Sequence, residues 1–136
     1  MAGWKQSTRY GSVGIAALAL LSGVHWIRGL SGELVPAVAY LVGVLPNMVA
    51  AIAIPFVFMG IVADQKKDAP PTTIQRWFYV SVITSCLGLL GWELIQRTSD
   101  RLIFDFNDLL ATVVGSMIAC AIFLAITPTT LQNDET

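Results

Sequence analysis

Four apolar runs constrain this chain more than anything else in it. They cover residues 11–27, 34–63, 78–92 and 109–127, separated by short polar segments. A helix that crosses a bilayer needs about 20 predominantly apolar residues. Inside hydrocarbon every backbone polar group must be matched within the protein, which leaves helices or closed barrels. Runs of this length without strict alternation read as helices. The expected fold is therefore all-α, an integral membrane bundle of four transmembrane helices forming one domain over residues 1–136.

Composition agrees. Hydrophobic residues make up 55% of the chain and charged residues 12%, against about 25% charged in soluble domains. The formal net charge of −1 offers no basic surface to a nucleic acid. Cys86 and Cys120 both lie inside apolar runs and read as small buried hydrophobes, not as a disulfide or metal pair. The single histidine, His25, has no Cys or His cluster near it, so no zinc site and no cofactor is expected.

The first run follows Lys5 and Arg9 and contains "VGIAALALLSG", which resembles a secretory signal with "ALA" as a cleavage pattern. Val24 stands where a lipoprotein signal would carry Cys, and the apolar run continues through "VHWI". With three further runs downstream, a retained span is the favoured reading. The second run is too long for one simple span and carries Pro36, Pro46 and Pro55, with Asn47 after Pro46. Proline breaks or kinks helices, and Asn caps their N-termini. The economical reading is a short interfacial helix over 35–44, a break at "LPN", and a true span over 48–62. The alternative is one long, tilted, kinked helix. "DQKKDAPPTT" reads as a linker and "TPTTLQNDET" as a tail.

Lys and Arg placement sets orientation. Lys5, Arg9, Lys66, Lys67 and Arg76 fall on one side, and Arg28, Arg97 and Arg101 on the other. Both termini are thus expected in the cytoplasm. Trp26, Trp77 and Trp92 fall at span ends, where an interfacial aromatic belt belongs.

Against this apolar background, "WELIQRTSDRLIFDFND" stands out. Glu93 and Gln96 are three apart and share a helix face, and Arg97 follows Glu93 by four. Asp108, Thr112, Gly115 and Ala119 share a face of the fourth span, where small residues admit a close neighbour. Arg101 lies between the two spans, with a guanidinium fork suited to two carboxylates or a phosphate. The topology brings His25, the "LPN" segment and this stretch to one membrane face. Plainer readings stand beside these: Asp108 or Asn47 as a helix cap, Asp100 and Asp105 as solvated loop charges, Arg97 snorkelling, His25 as an interfacial polar residue. Glu93 is harder to set aside, because an ionisable group near membrane depth needs a partner.

"WELIQRTSDRLIFDFNDLLATVVGSMIA" resembles the signature of VanZ-like membrane proteins. That signature runs Glu-x-x-Gln, an Arg, an Asp opening the last span, then Asn and Gly four and seven positions on. By position, Glu93 and Gln96 match the first pair, Arg101 the Arg (with Arg97 as a substitute), Asp108 the Asp and Gly115 the Gly. "LPNMVAAIAIP" resembles a Pro-Asn segment of some members, with Asn47 as the match. Thr112 departs from the pattern, keeping a hydroxyl where the family usually has an amide. The family is named for a protein linked to teicoplanin resistance, so the resemblance implies a small cell-envelope protein of the bacterial cytoplasmic (inner) membrane and a candidate site.

The first expectation is a non-enzymatic accessory or binding protein. Its cluster would recognise a lipid phosphate headgroup, a glycopeptide-related or lipid-linked envelope precursor, or a partner membrane protein. Arg101 and Arg97 would meet phosphate, oriented by Glu93, Gln96 and Asp108. The alternatives are a structural subunit in which Glu93, Arg101 and Asp108 form an ionic clasp, and a membrane enzyme acting on a lipid-linked substrate. The chain has no convincing Ser-His or Cys-His pair and no Gly-rich phosphate loop, so the reading leans away from an enzyme. His25 with Glu93 is the one acid/base combination to consider.

Overall fold

The computed structural model describes residues 5–30, 32, 34–98 and 105–127. They form four helices: α1 Gln6–Gly29, α2 Pro36–Gln65, α3 Pro71–Arg97 and α4 Phe106–Ile126. All four are long and apolar enough to cross a membrane. Arg101 and Asp100 lie outside the described residues.

Local chemistry sets the helix starts. Pro36 and Pro71 open α2 and α3, where the missing N–H costs nothing and the fixed φ suits the first turn. Asp105 caps α4, accepting the Asn107 backbone N–H at 2.8 Å. The cap is thus Asp105 and not Asp108, which sits in the first turn of α4. α3 begins seven residues before the apolar run, so the α2–α3 link shrinks to residues 66–70.

The broken second span is corrected. α2 runs as one continuous helix of 30 residues through Pro46 and Pro55. Each proline removes a single donor, leaving the carbonyls of Val42 and Ala51 without their usual partners. A break would orphan several N–H and C=O groups, which the bilayer penalises far more heavily. Asn47 is therefore mid-helix, and its side chain is available for contacts with other helices.

α2 packs on each of the other three helices, and α3 also packs on α4. Two glycine contacts let backbones approach. A Cβ on Gly14 of α1 would lie 2.8 Å from the Val57 backbone N of α2, and one on Gly60 would lie 3.2 Å from the Gly11 Cα. On the other side, a Cβ on Gly115 of α4 would collide with the Met48 carbonyl oxygen of α2. Small residues have this role where lipid tails supply no hydrophobic drive between helices.

The bundle has two unlike ends. At the end holding the start of α1 and the end of α4, Tyr10, Phe56, Met59, Phe78 and Phe123 are buried together. Phe78 and Phe123 stack with centroids 3.8 Å apart and planes 7° apart. The Tyr10 hydroxyl bonds Thr127 Oγ1 at 2.9 Å and accepts from Gln6 Nε2 at 3.1 Å. Arg9 Nη1 donates to the Ile126 carbonyl at 3.3 Å, covering an unpaired acceptor at the end of α4. The opposite end, where the α1–α2 and α3–α4 links emerge, is polar.

Candidate functional site at the polar end of the bundle

Glu93 occupies the last turns of α3 and is only 2% exposed. Its Oε1 accepts from Asn47 Nδ2 of α2 at 3.1 Å and from Gln96 Nε2 at 3.2 Å. Its Oε2 is buried with no hydrogen-bond partner among the described residues. The Asn47 side chain is also within hydrogen-bonding reach of Asp108 on α4. An amide carries two N–H groups, whereas an ionised carboxylate only accepts. One side chain of α2 thereby binds a carboxylate from α3 and lies near another from α4.

Beneath this bridge, Thr112 is fully buried and donates its hydroxyl to the Asp108 carbonyl at 2.9 Å. Its donor is spent within its own helix. Gly115, one turn further, holds α4 against the Met48 carbonyl, which brings Asp108 close to Asn47.

The structure thus gathers Glu93, Gln96, Asn47 and Asp108, with Thr112 below. His25 is exposed on α1 and makes no hydrogen bond to Glu93, so the acid/base combination of these two is not formed. Arg97 is exposed as the last residue of α3. Among the described residues no group of three or more His, Cys, Asp and Glu could hold a metal ion.

A second feature was not legible from the sequence. A cleft of about 330 Å³ opens between the end of α1 and the starts of α2 and α4, lined by Arg28, Ala39, Tyr40, Gly43, Val44, Asp105 and Asp108. Tyr40 donates its hydroxyl to Asn107 Oδ1 at 3.3 Å, fastening α2 to the first turn of α4 at the cleft. Arg28 reads in sequence only as an orientation marker and Tyr40 only as part of an apolar run. The sole signal in the sequence was their position at span ends on the face of the polar stretch. Asp108 belongs to both features, facing the cleft while meeting Asn47.

Chemically, this end of the bundle holds a fixed, desolvated carboxyl, a second carboxyl reached by the same amide, and a cleft with acid on one wall and a guanidinium on another. Burying charge is costly unless it is paired, so groups of this kind suit a charged ligand or a fixed structural contact. Compared with protein-family profiles, curated proteins and solved structures, the chain gives no match.

Proposed function

We propose that this chain is a VanZ-like integral membrane protein of the bacterial cytoplasmic membrane, both termini cytoplasmic, that binds the polar headgroup of an envelope lipid or lipid-linked precursor at its non-cytoplasmic end. Binding, not turnover, is its role. The observation that supports this reading most is the cleft, in which Arg28 shares the walls with Asp105 and Asp108 at a bundle end, where headgroups would lie. The buried Glu93–Asn47 pair behind it supports the Asp108 wall. Arg28 takes here the phosphate-facing role that the sequence reading gives to Arg101 and Arg97. The test is native mass spectrometry of protein extracted with its lipids. Wild type should retain a phosphate-bearing lipid that a folded Arg28→Gln variant loses. Equal retention by both would overturn the reading.

The second reading is a structural clasp, and one observation favours it: Asn47 of α2 binds the buried Glu93 carboxyl of α3. Among the described residues the hub of such a clasp is Asn47. It would show as lower thermal stability in Asn47 variants with no change in retained lipid.

A further inference from the structure

The chemistry of the cleft walls narrows the class of headgroup that fits them. Resting on the headgroup reading, we infer that the cleft selects a zwitterionic, amine-bearing phospholipid, with the ammonium against Asp105 and Asp108 and the phosphate against Arg28.

The arrangement of charge is the main reason. Arg28 lines the same cleft as Asp105 and Asp108, yet among the described residues no ion pair joins it to either. The ion pair found among those residues, Lys67–Asp64, lies at the other end of the bundle. Opposite charges that face one cleft without closing on each other leave room for a ligand that bridges them. The volume, about 330 Å³, is near the lower end of the roughly 300–1,000 Å³ seen for small-ligand pockets.

Among the described residues that line the cleft the acids, Asp105 and Asp108, outnumber the base, Arg28. Behind them Asn47 binds Glu93, whose Oε2 is buried and unpartnered among the described residues. A headgroup with phosphate alone would bring further negative charge against Asp105 and Asp108. A headgroup that also carries an ammonium supplies three donors to acceptor-only carboxylates, in charge-assisted bonds. Asp105 Oδ1 already accepts from Asn107 N and Nδ2, both at 2.8 Å, which fixes the carboxylate in orientation.

The source is a lipid, not a soluble zwitterion. On the α2 wall of the cleft itself, Tyr40 is 55% exposed beside Ala39, Gly43 and Val44. This mostly apolar wall is where acyl chains would lie.

The experiment presents the purified full-length chain with equal amounts of phosphatidylethanolamine and phosphatidylglycerol of identical acyl chains, and reads bound lipid by native mass spectrometry. Wild type should favour phosphatidylethanolamine. Asp105→Asn, which keeps a capping oxygen, and Asp108→Asn should each reduce that preference about tenfold, the loss expected for one charge-assisted bond. Arg28→Gln should lower retention of both lipids. Equal retention of the two lipids by wild type, both lost in Arg28→Gln, would overturn amine selection and leave headgroup binding standing. No retained lipid at all would overturn both. Displacement of bound lipid by glycerophosphoethanolamine at matched concentration would overturn the lipid source.

Discussion

Asn47 Nδ2 lies 3.1 Å from Glu93 Oε1, joining the middle of α2 to the end of α3 across 46 residues of sequence. Gln96 shares the same oxygen, and Asp108 is in reach of the same amide. Two helices therefore meet at one hydrogen-bonded point inside an otherwise apolar bundle, with the third close beside it.

Asn47→Leu should lower stability by about 1–3 kcal/mol, the usual penalty for removing a donor from a buried carboxylate, because Gln96 alone then serves Glu93 Oε1. Glu93→Gln removes the charge but keeps the shape, and should cost less. The double variant should cost less than the two singles added, because both act on one bond. Thermal melts of the four proteins in detergent measure the coupling. Strict additivity would mean that the two side chains do not share an interaction.

Gly115→Ala should destabilise by about 1–3 kcal/mol, the range for overpacking, because the new methyl meets the Met48 carbonyl oxygen and the Ala51 Cβ. Gly88 has nothing within 4 Å of the same position. Gly88→Ala should thus be neutral or stabilising, by up to about 1 kcal/mol from helix propensity. The pair, compared by melting temperature, separates close packing from propensity. A tolerated Gly115→Ala would refute the tight α2–α4 contact.

Tyr10→Phe removes the hydroxyl that joins Gln6 and Thr127 but keeps the ring in contact with Phe56 and Phe123. The expected loss is about 1 kcal/mol, concentrated at the last turn of α4. Hydrogen exchange there should quicken while the rest of the bundle keeps its protection. Unchanged exchange at that turn would show that Arg9 alone holds the α4 end.

Orientation is open to direct labelling. With Cys86 and Cys120 replaced by Ala, an impermeant maleimide applied to intact cells should modify Arg28→Cys and spare Lys67→Cys. Arg28 lies in the last turn of α1 and Lys67 in the α2–α3 link, so they mark opposite ends of the bundle. The reverse pattern would place the cleft on the cytoplasmic side.

The four spans were legible because run length alone decides what a bilayer accepts. Glu93 and Gln96 were legible as a pair because three residues on a helix fix their geometry. The continuity of α2 was not. Proline's local effect is visible in sequence, while the bilayer's resistance to a broken backbone acts on the whole segment. Nor was the bridging position of Asn47, which depends on how α2 is rotated against α3 and α4. Gly115 was expected to admit a close neighbour, but Gly11 and Gly14 passed unremarked within an apolar run. Their contacts with Gly60 and Val57 exist only once α1 and α2 are paired. The cleft was hidden for the same reason, since Arg28, Tyr40 and Asp105 come from three separate segments.

The long separation between Asn47 and Glu93 has a consequence for synthesis. A ribosome adding about 5–20 residues per second completes α2 about 1–6 seconds before Glu93 is added. Over that interval the α1–α2 hairpin can already zip along its glycines, yet the Asn47 amide has entered the membrane without its native acceptor. The nascent chain must be sheltered at that depth, by water in the insertion channel or by a helper protein, until the third helix arrives to relieve it.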